Sequence, residues 1–378
     1  MKKTVALLLS LICLFSLISC KKKPKYEPVE STEEESTTVM TLSIGEDKYE
    51  VKYELYRAFF LNYKSSVDGG DGSVWTGAEK EKYIAEIDSL IIEKIVEIYS
   101  AFAVCKEIGF DVYSDEVEEK IQENIKISVE GGSYGNKTIK GYESYEEYLA
   151  ALKAMNMNYS VQVLLFRYAI AIDAIDTYYI GTASSDDVDI NMTVGSIKYT
   201  RDDVKRFYDG EDCVRVLRAT FQTNITYTPE EKAASIKARL TEAASSDGTP
   251  EDKETAVFNA IMASGALSGG EEVRRGYVIG RYNLVRSYYG EMTDAAFATE
   301  LYGVSDGIHV VSDEEDSYYI LYRADKSDTH FEENYESIKY IYLTNYVGKI
   351  LHDAADDLKA DVKYSDFLTN INHAEIGM

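Results

Sequence analysis

The stretch CVRVLRATFQTNITYTPEEKAASIKARL, residues 213–240, reads as a strand, a polar turn and a capped helix. Val214, Val216 and Ala219 punctuate the strand. Thr228-Pro229-Glu230-Glu231 is a capping box with proline at the first helical position, which fixes where the helix begins. The device recurs at Thr249-Pro250-Glu251-Asp252, ahead of KETAVFNAIMASG. Farther on, RRGYVIGRY is a glycine-bounded strand, MTDAAFATEL a short helix, GIHVV a strand, and SYYILYRADK a last strand after the acidic turn SDEED. The order is strand, helices, strand, helix, two strands.

Upstream, TTVMTLSIGEDKYEVKYELYRAFFLNYK alternates through Met40, Leu42 and Ile44, turns at Gly45-Glu46-Asp47 and resumes at Tyr49 and Val51, a hairpin feeding a helix. From Glu79 to Ile108, Ile84, Ile87, Ile91, Ile95, Ile98, Phe102 and Cys105 recur at steps of three and four. They form one face of a helix roughly eight turns long. Ser114 caps the next helix, with Val117, Ile121 and Ile125 on one face. SYEEYLAALKAMNMNYSVQVLLFRYAIAIDAIDTYYI supplies two more, the second apolar around most of its circumference, as a central bundle helix is. Met155 and Met157 fall in a loop or core. Near Ala183 the chain turns polar, and Thr200 caps a short helix in KYTRDDVKRFYDG. The far end, residues 330–362, reads as one long helix with Ile338, Tyr342, Tyr346 and Ile350 on one face, expected to pack back on the first region.

The chain has 378 residues, 45% of them apolar, enough for two or three domains with ample core. Lys and Arg number 40 against 66 Asp and Glu, a formal net charge of -26, so a polyanion would be repelled and nucleic acid is excluded as a partner. Tyrosine is frequent at 32 and proline scarce at 4, so elements are rarely interrupted and many amphipathic rings lie half-buried.

The amino terminus, MKKTVALLLSLICLFSLISC, places Lys2 and Lys3 before an apolar run ending in Leu17-Ile18-Ser19-Cys20, a secretory signal. Its end resembles a bacterial lipobox, which implies cleavage before Cys20 and acylation of its thiol. Cys20 is therefore the expected lipidation site, anchoring the protein to the extracytoplasmic face of a cell membrane, as in a Gram-positive bacterium. KKKPKYEPVESTEEESTT follows and is too polar to pack, so it is expected as a disordered tether.

Cys105 and Cys213 are the remaining candidates for a disulfide, and their spacing does not favour pairing; Cys105 is expected as a buried thiol on its apolar stripe. His309, His330, His352 and His373 are scattered without ligand spacing. They are expected as solvated surface residues, with no metal site and no cofactor.

The middle pattern resembles the parvulin domain, the PpiC-type rotamase unit. VLRATFQTN is similar to the strand that begins with a Ser-His pair, GYVIGR to the Gly-Gly-x-Leu-Gly turn, and EMTDAAFATELYGVSDGIHVV to the helix, turn and strand that follow. SYYILYRADK corresponds to the closing Gly-Tyr-His strand. The flanking hairpin and helices resemble PrsA- and SurA-type foldases over roughly residues 39 to 375. This resemblance implies an α+β fold, a helical bundle of amino- and carboxy-terminal segments into which a small antiparallel sheet with helices is inserted. The expected division is a signal at 1–19, a tether at 20–38, a SurA-like helical domain at 39–182, a linker helix and parvulin-like domain at 183–328, and a returning helix at 329–378.

Prolyl isomerisation needs an apolar cradle for the ring and groups that stabilise the twisted amide, whose rotational barrier is roughly 20 kcal/mol. The resemblance places two histidines under the cradle, at the positions of Phe221 and Tyr319, and a serine at Thr220. None of these is retained. Tyr319 keeps a hydroxyl donor and Phe221 has none. Tyr288, Met292 and Phe297 match positions that line the proline pocket. Three readings follow: a lipid-anchored foldase-like chaperone that binds unfolded or nascent secreted polypeptides with an impaired parvulin-like domain, an active peptidyl-prolyl isomerase, and a structural or assembly lipoprotein. A homodimer is left open.

Overall fold

The computed structural model describes residues 26–134, 137–181, 193–222, 229–265, 270–282, 286–310 and 317–376. The segment expected as a signal, Cys20 and the Thr228 cap lie outside the described residues. The chain opens with strands β1 (Thr38–Ile44) and β2 (Asp47–Lys52), then helices α1 (Tyr53–Asp68), α2 (Lys80–Glu107) and α3 (Asp115–Glu130). A short hairpin, β3 (Gly132–Tyr134) and β4 (Lys137–Ile139), precedes α4 (Tyr145–Ala154) and α5 (Tyr159–Tyr179). A second, β5 (Thr193–Val194) and β6 (Ile197–Lys198), leads to α6 (Arg201–Asp209) and β7 (Cys213–Gln222). Then come α7 (Pro229–Ala244), α8 (Pro250–Ala263), α9 (Gly270–Arg275), β8 (Tyr277–Gly280), α10 (Arg286–Ala298), β9 (Ile308–Val310) and β10 (Ser317–Ala324). The chain closes with α11 (Asp328–Glu333), α12 (Tyr335–Ala360), β11 (Val362–Tyr364) and α13 (Asp366–Asn370). The fold is α+β. Among the described residues it divides into a unit of 26–176 with 350–376 and a unit of 177–349.

In the first unit β1 is the middle strand of the order β11-β1-β2, with both neighbours antiparallel. Val39, Met40, Leu42 and Ser43 are accordingly buried on both sides of the strand, so the alternation read from Met40, Leu42 and Ile44 is only part of its covering. The α2 stripe is buried from Ile87 through Cys105, and over its last turns the helix is enclosed all round, Ile98 to Cys105 without interruption. The Cys105 thiol lies 3.5 Å from the Ala171 carbonyl, a plain buried thiol as expected, and both described cysteines are free. Ser114 accepts from the Val117 amide, and α5 buries residues around most of its circumference.

Three expectations need correction here. Residues 26–38 do not form an unpacked tether: the buried Tyr26 ring lies 5.1 Å from Tyr145 and its hydroxyl donates to Glu130 at 2.9 Å. Ser31 adds hydrogen bonds to Glu54 and to Ser160. Composition averaged over a polar stretch misses one ring with a place to go. The long carboxy-terminal helix is broken at Asn334 into α11 and α12, with Ser327 capping the first piece. Its assigned face also drifts, since Tyr346 is 44% exposed while Leu343, Val347, Leu351 and Leu358 are buried. A strict step of four gains about 40° each time and leaves the original face within three steps. Finally, His330 and His373 are buried rather than solvated, because each has hydrogen-bond partners inside the fold.

His373 closes the first unit. The Tyr56 hydroxyl donates to Asp88 at 2.6 Å and accepts from His373 Nε2 at 3.1 Å, which assigns the Nε2–H tautomer. Burial raises the Asp88 carboxyl and lowers the His373 imidazole, both toward their neutral forms. The imidazole also lies 5.7 Å from Phe60, which in turn meets Trp75 at 5.2 Å. His373→Ala should therefore destabilise this unit by about 1–2 kcal/mol. Urea unfolding followed by Trp75, the single tryptophan, reads this directly, and an unmoved midpoint would remove the clasp from the account.

The second unit is built on a four-stranded antiparallel sheet in the order β8-β7-β10-β9. Thr200 and Thr249 form the capping boxes read from sequence, with Asp203 and Asp252 as the reciprocal partners. Strand alternation sorts β7 and β10 onto two cores. Leu217, Ala219, Phe221, Ile320 and Tyr322 pack against Ile236 and Leu240 of α7 and Val257 and Ile261 of α8. Val214, Val216 and Leu321 face the other way, toward Ile279, Ile308, Met292 and Ala296.

Candidate functional site

The sheet separates residues that the sequence placed in one pocket. Phe221 lies opposite Tyr318 in the β7–β10 register and is 1% exposed on the α7–α8 side, with the Tyr318 ring 5.6 Å away. Thr220 lies opposite Tyr319, so those two share the other face. Met292, 6% exposed, is core there, with half-buried Phe297 and Tyr319 packed against it. Tyr288 belongs to α10, and its side chain lies outside the described residues. The structure thus brings Thr220, Tyr319, Met292 and Phe297 to one sheet face and puts Phe221 in the core behind it.

The α10 side of the sheet is not a uniform apolar surface. Arg218 projects from β7 between two rings, its guanidinium carbon 4.0 Å from the centre of Tyr277 and 5.2 Å from that of Tyr319. At the other end, Arg281 lies 4.3 Å over Phe297, and Arg323 donates to the Thr299 carbonyl at 2.8 Å. Aromatic faces and planar cations attract through the ring quadrupole, worth about 0.5–2 kcal/mol according to exposure. Tyr277, Tyr319, Thr220 and Arg218 are each half-buried, so this end of the face keeps surface in reach of a ligand. Such a surface can hold an extended chain by stacking and apolar contact while the guanidinium orients a polar group.

Two glycines of RRGYVIGRY fix β8 beside this face. Gly276 has φ +73°, and a Cβ there would meet the Val216 carbonyl at 3.1 Å. A Cβ at Gly280 would stand 2.7 Å from Asn345 Oδ1, which accepts from the Tyr282 amide at 2.8 Å. The loop signature is thus explained by one left-handed residue and one close approach.

Behind the sheet lies a polar hub. Arg215, 5% exposed, makes a two-pronged pair with Glu254 at 2.8 and 2.5 Å and donates to the carbonyls of Asp325 and Arg275. The Arg275 carbonyl also accepts from His330 Nε2 at 2.7 Å, and His330 Nδ1 accepts from the Tyr208 hydroxyl at 2.9 Å. Burial, with Arg215 nearby, lowers the His330 imidazole to about 4. Burial also pushes the Cys213 thiol up to about 12. Arg215 and Arg218 lie on opposite faces of β7.

The reading from sequence missed Arg218 and Tyr277. A legible signal was present: two arginines, 215 and 218, in an otherwise apolar strand must either be paired inside or serve a surface, and their odd spacing sends them to opposite faces. Among the described residues no cluster of His, Cys, Asp and Glu could hold a metal ion. No described helix is long and apolar enough to cross a membrane.

No protein-family model matches the chain, and no curated protein matches it. Among solved structures it is similar to foldase protein PrsA from Streptococcus pneumoniae, at 14% identity over 87% of this chain and 96% of that one, with a TM-score of 0.21. PrsA from Lactococcus lactis matches at 13% identity over 91% and 100% of the two chains, again with a TM-score of 0.21. PrsA from Bacillus subtilis matches at 13% identity over 85% and 94%, with the same score.

Proposed function

We propose that the protein is a lipid-anchored, extracytoplasmic chaperone of foldase type that binds unfolded secreted polypeptides on the α10 side of its four-stranded sheet. The observation that carries this reading is the half-open aromatic face itself, Tyr277 and Tyr319 on either side of Arg218 with Met292 and Phe297 beside them. Backbone amides and aromatic side chains of an unfolded client find stacking and hydrogen-bond partners there without any nucleophile or cofactor. The motif order along the sequence and the signal ending at Cys20 support the cellular setting, with Cys20 as the acylated anchor. The charge of -26 keeps copies apart and favours clients that are not themselves strongly acidic overall.

Within this reading the parvulin-like unit is catalytically impaired. Phe221 has no donor and faces the other core, so a pair of groups flanking a twisted amide is not assembled from Phe221 and Tyr319. The test uses the chain from Lys21 onward, which retains every described residue. Tyr277→Ser with Tyr319→Ser should weaken suppression of client aggregation roughly tenfold, the equivalent of about 1.4 kcal/mol of lost contact. Tyr113→Ser, at a 58% exposed position in the other unit, serves as the control. Full protection by the double variant would place client binding elsewhere. Acceleration of a proline-limited refolding reaction by the unaltered chain would establish the isomerase instead.

A further inference from the structure

Arg218 is the exception among the arginines of the four-stranded sheet. Arg215 is saturated by Glu254 and two carbonyls, and Arg323 by the Phe297 and Thr299 carbonyls at the end of α10. Arg218 forms no ion pair among the described residues, and its enclosed Nε has no hydrogen-bond partner there. Leaving such a donor unmatched costs free energy that one nearby acid would recover. The chain holds 66 acids against 40 bases, so acids are abundant, yet none of the described ones pairs with this guanidinium. The two tyrosine rings hold its plane, which leaves the donor edge as the unused part.

We infer that Arg218 is a carboxylate-recognition site: the aromatic face selects polypeptide segments that present a carboxylate, from an acidic side chain or from the chain end, next to residues that stack on Tyr277 and Tyr319. This rests on the proposed client-binding function and adds the chemistry of the client. A guanidinium is built for a carboxylate because two parallel N–H donors meet two oxygens, and a charge-assisted pair at a partly desolvated position is stronger than a neutral one. An ammonium at the same place would supply charge without the fork. The preference runs against the overall negative field, so it is local: added salt should speed the encounter of an acidic peptide while weakening the contact itself.

The experiment measures fluorescence anisotropy of three labelled extended peptides, identical in their aromatic and proline residues, on the chain from Lys21 onward. One carries a central Glu with an amidated end, the second Gln with an amidated end, the third Gln with a free terminal carboxylate. The first should bind roughly tenfold more tightly than the second, the size of a charge-assisted pair at a partly exposed site. The third, if it matches the first, shows that a chain end serves as well as a side chain; if it matches the second, only the side chain serves. Arg218→Gln should reduce the Glu-to-Gln ratio to about one, and Arg218→Lys should recover only part of it. Should Arg218→Gln fail to fold, Arg218→Lys decides alone, since it must narrow the Glu-to-Gln ratio while both peptides still bind. Equal binding of all three peptides with aggregation protection intact overturns the carboxylate assignment and leaves client binding standing. Absence of binding by all three overturns both.

Discussion

Glu254→Ala should cost the unit of residues 177–349 about 3–5 kcal/mol, because it strands the Arg215 guanidinium, 5% exposed, without its counter-ion. The penalty is that of an uncompensated buried charge and exceeds what the pair itself contributes. Replacing both partners at once, Arg215→Met with Glu254→Leu, should recover most of the loss, since apolar side chains of similar volume need no solvation inside. Cys213 gives a local readout: it is 1% exposed, so its alkylation rate in increasing urea tracks the opening of β7. A single variant with an unchanged urea midpoint, or a double variant no better than the single one, would dismiss the hub as a stabilising element.

The second large effect is a loss of stability in mild acid. The folded state lowers the His330 imidazole from 6.5 to about 4, so it binds fewer protons than the unfolded chain between those values. Stability from this group is fully present above pH 6.5 and is lost as the pH falls toward 4, to a total of about 3 kcal/mol. The groups facing the ring are consistent with the neutral form. Tyr208 donates to Nδ1, the Arg275 carbonyl accepts from Nε2, and the nearby charge on Arg215 opposes a further cation. Chemical unfolding of the parent and of His330→Gln across pH 4–7 separates this contribution, because the variant should show a shallower decline. Parallel pH profiles would mean that another group, His373 among them, carries the acid sensitivity.

Much of the fold was legible because its signals are local. The capping boxes at Thr200 and Thr249, the Ser114 cap and the α2 stripe are set by residues within one or two turns of each other, and each is where the pattern put it. What escaped depends on partners distant in the chain. Nothing near Val362 announces a strand; it becomes one by pairing with Leu42. Histidines without neighbouring ligands read as solvated, yet Tyr56 and Tyr208, remote in sequence, give two of them buried partners. At the candidate site the pattern of a family strand identified β7 but not which way its side chains point. Only the pairing of Thr220 with Tyr319 puts Phe221 behind the sheet. Arg218 was overlooked because an arginine in a strand draws no notice until its partners are sought.

The strand order β11-β1-β2 has a consequence for how the protein is made. Synthesis from the amino terminus delivers β1 and β2 first, but the strand that covers the other edge of β1 comes from the last part to emerge. Until then one edge of an apolar strand stays unpaired, a template for stray pairing. The unit of residues 177–349 has its own strands together well before that, so it can settle while the first unit waits for its final strand. For the length of its own synthesis such a chain carries an open strand edge of the kind that other chains can pair with.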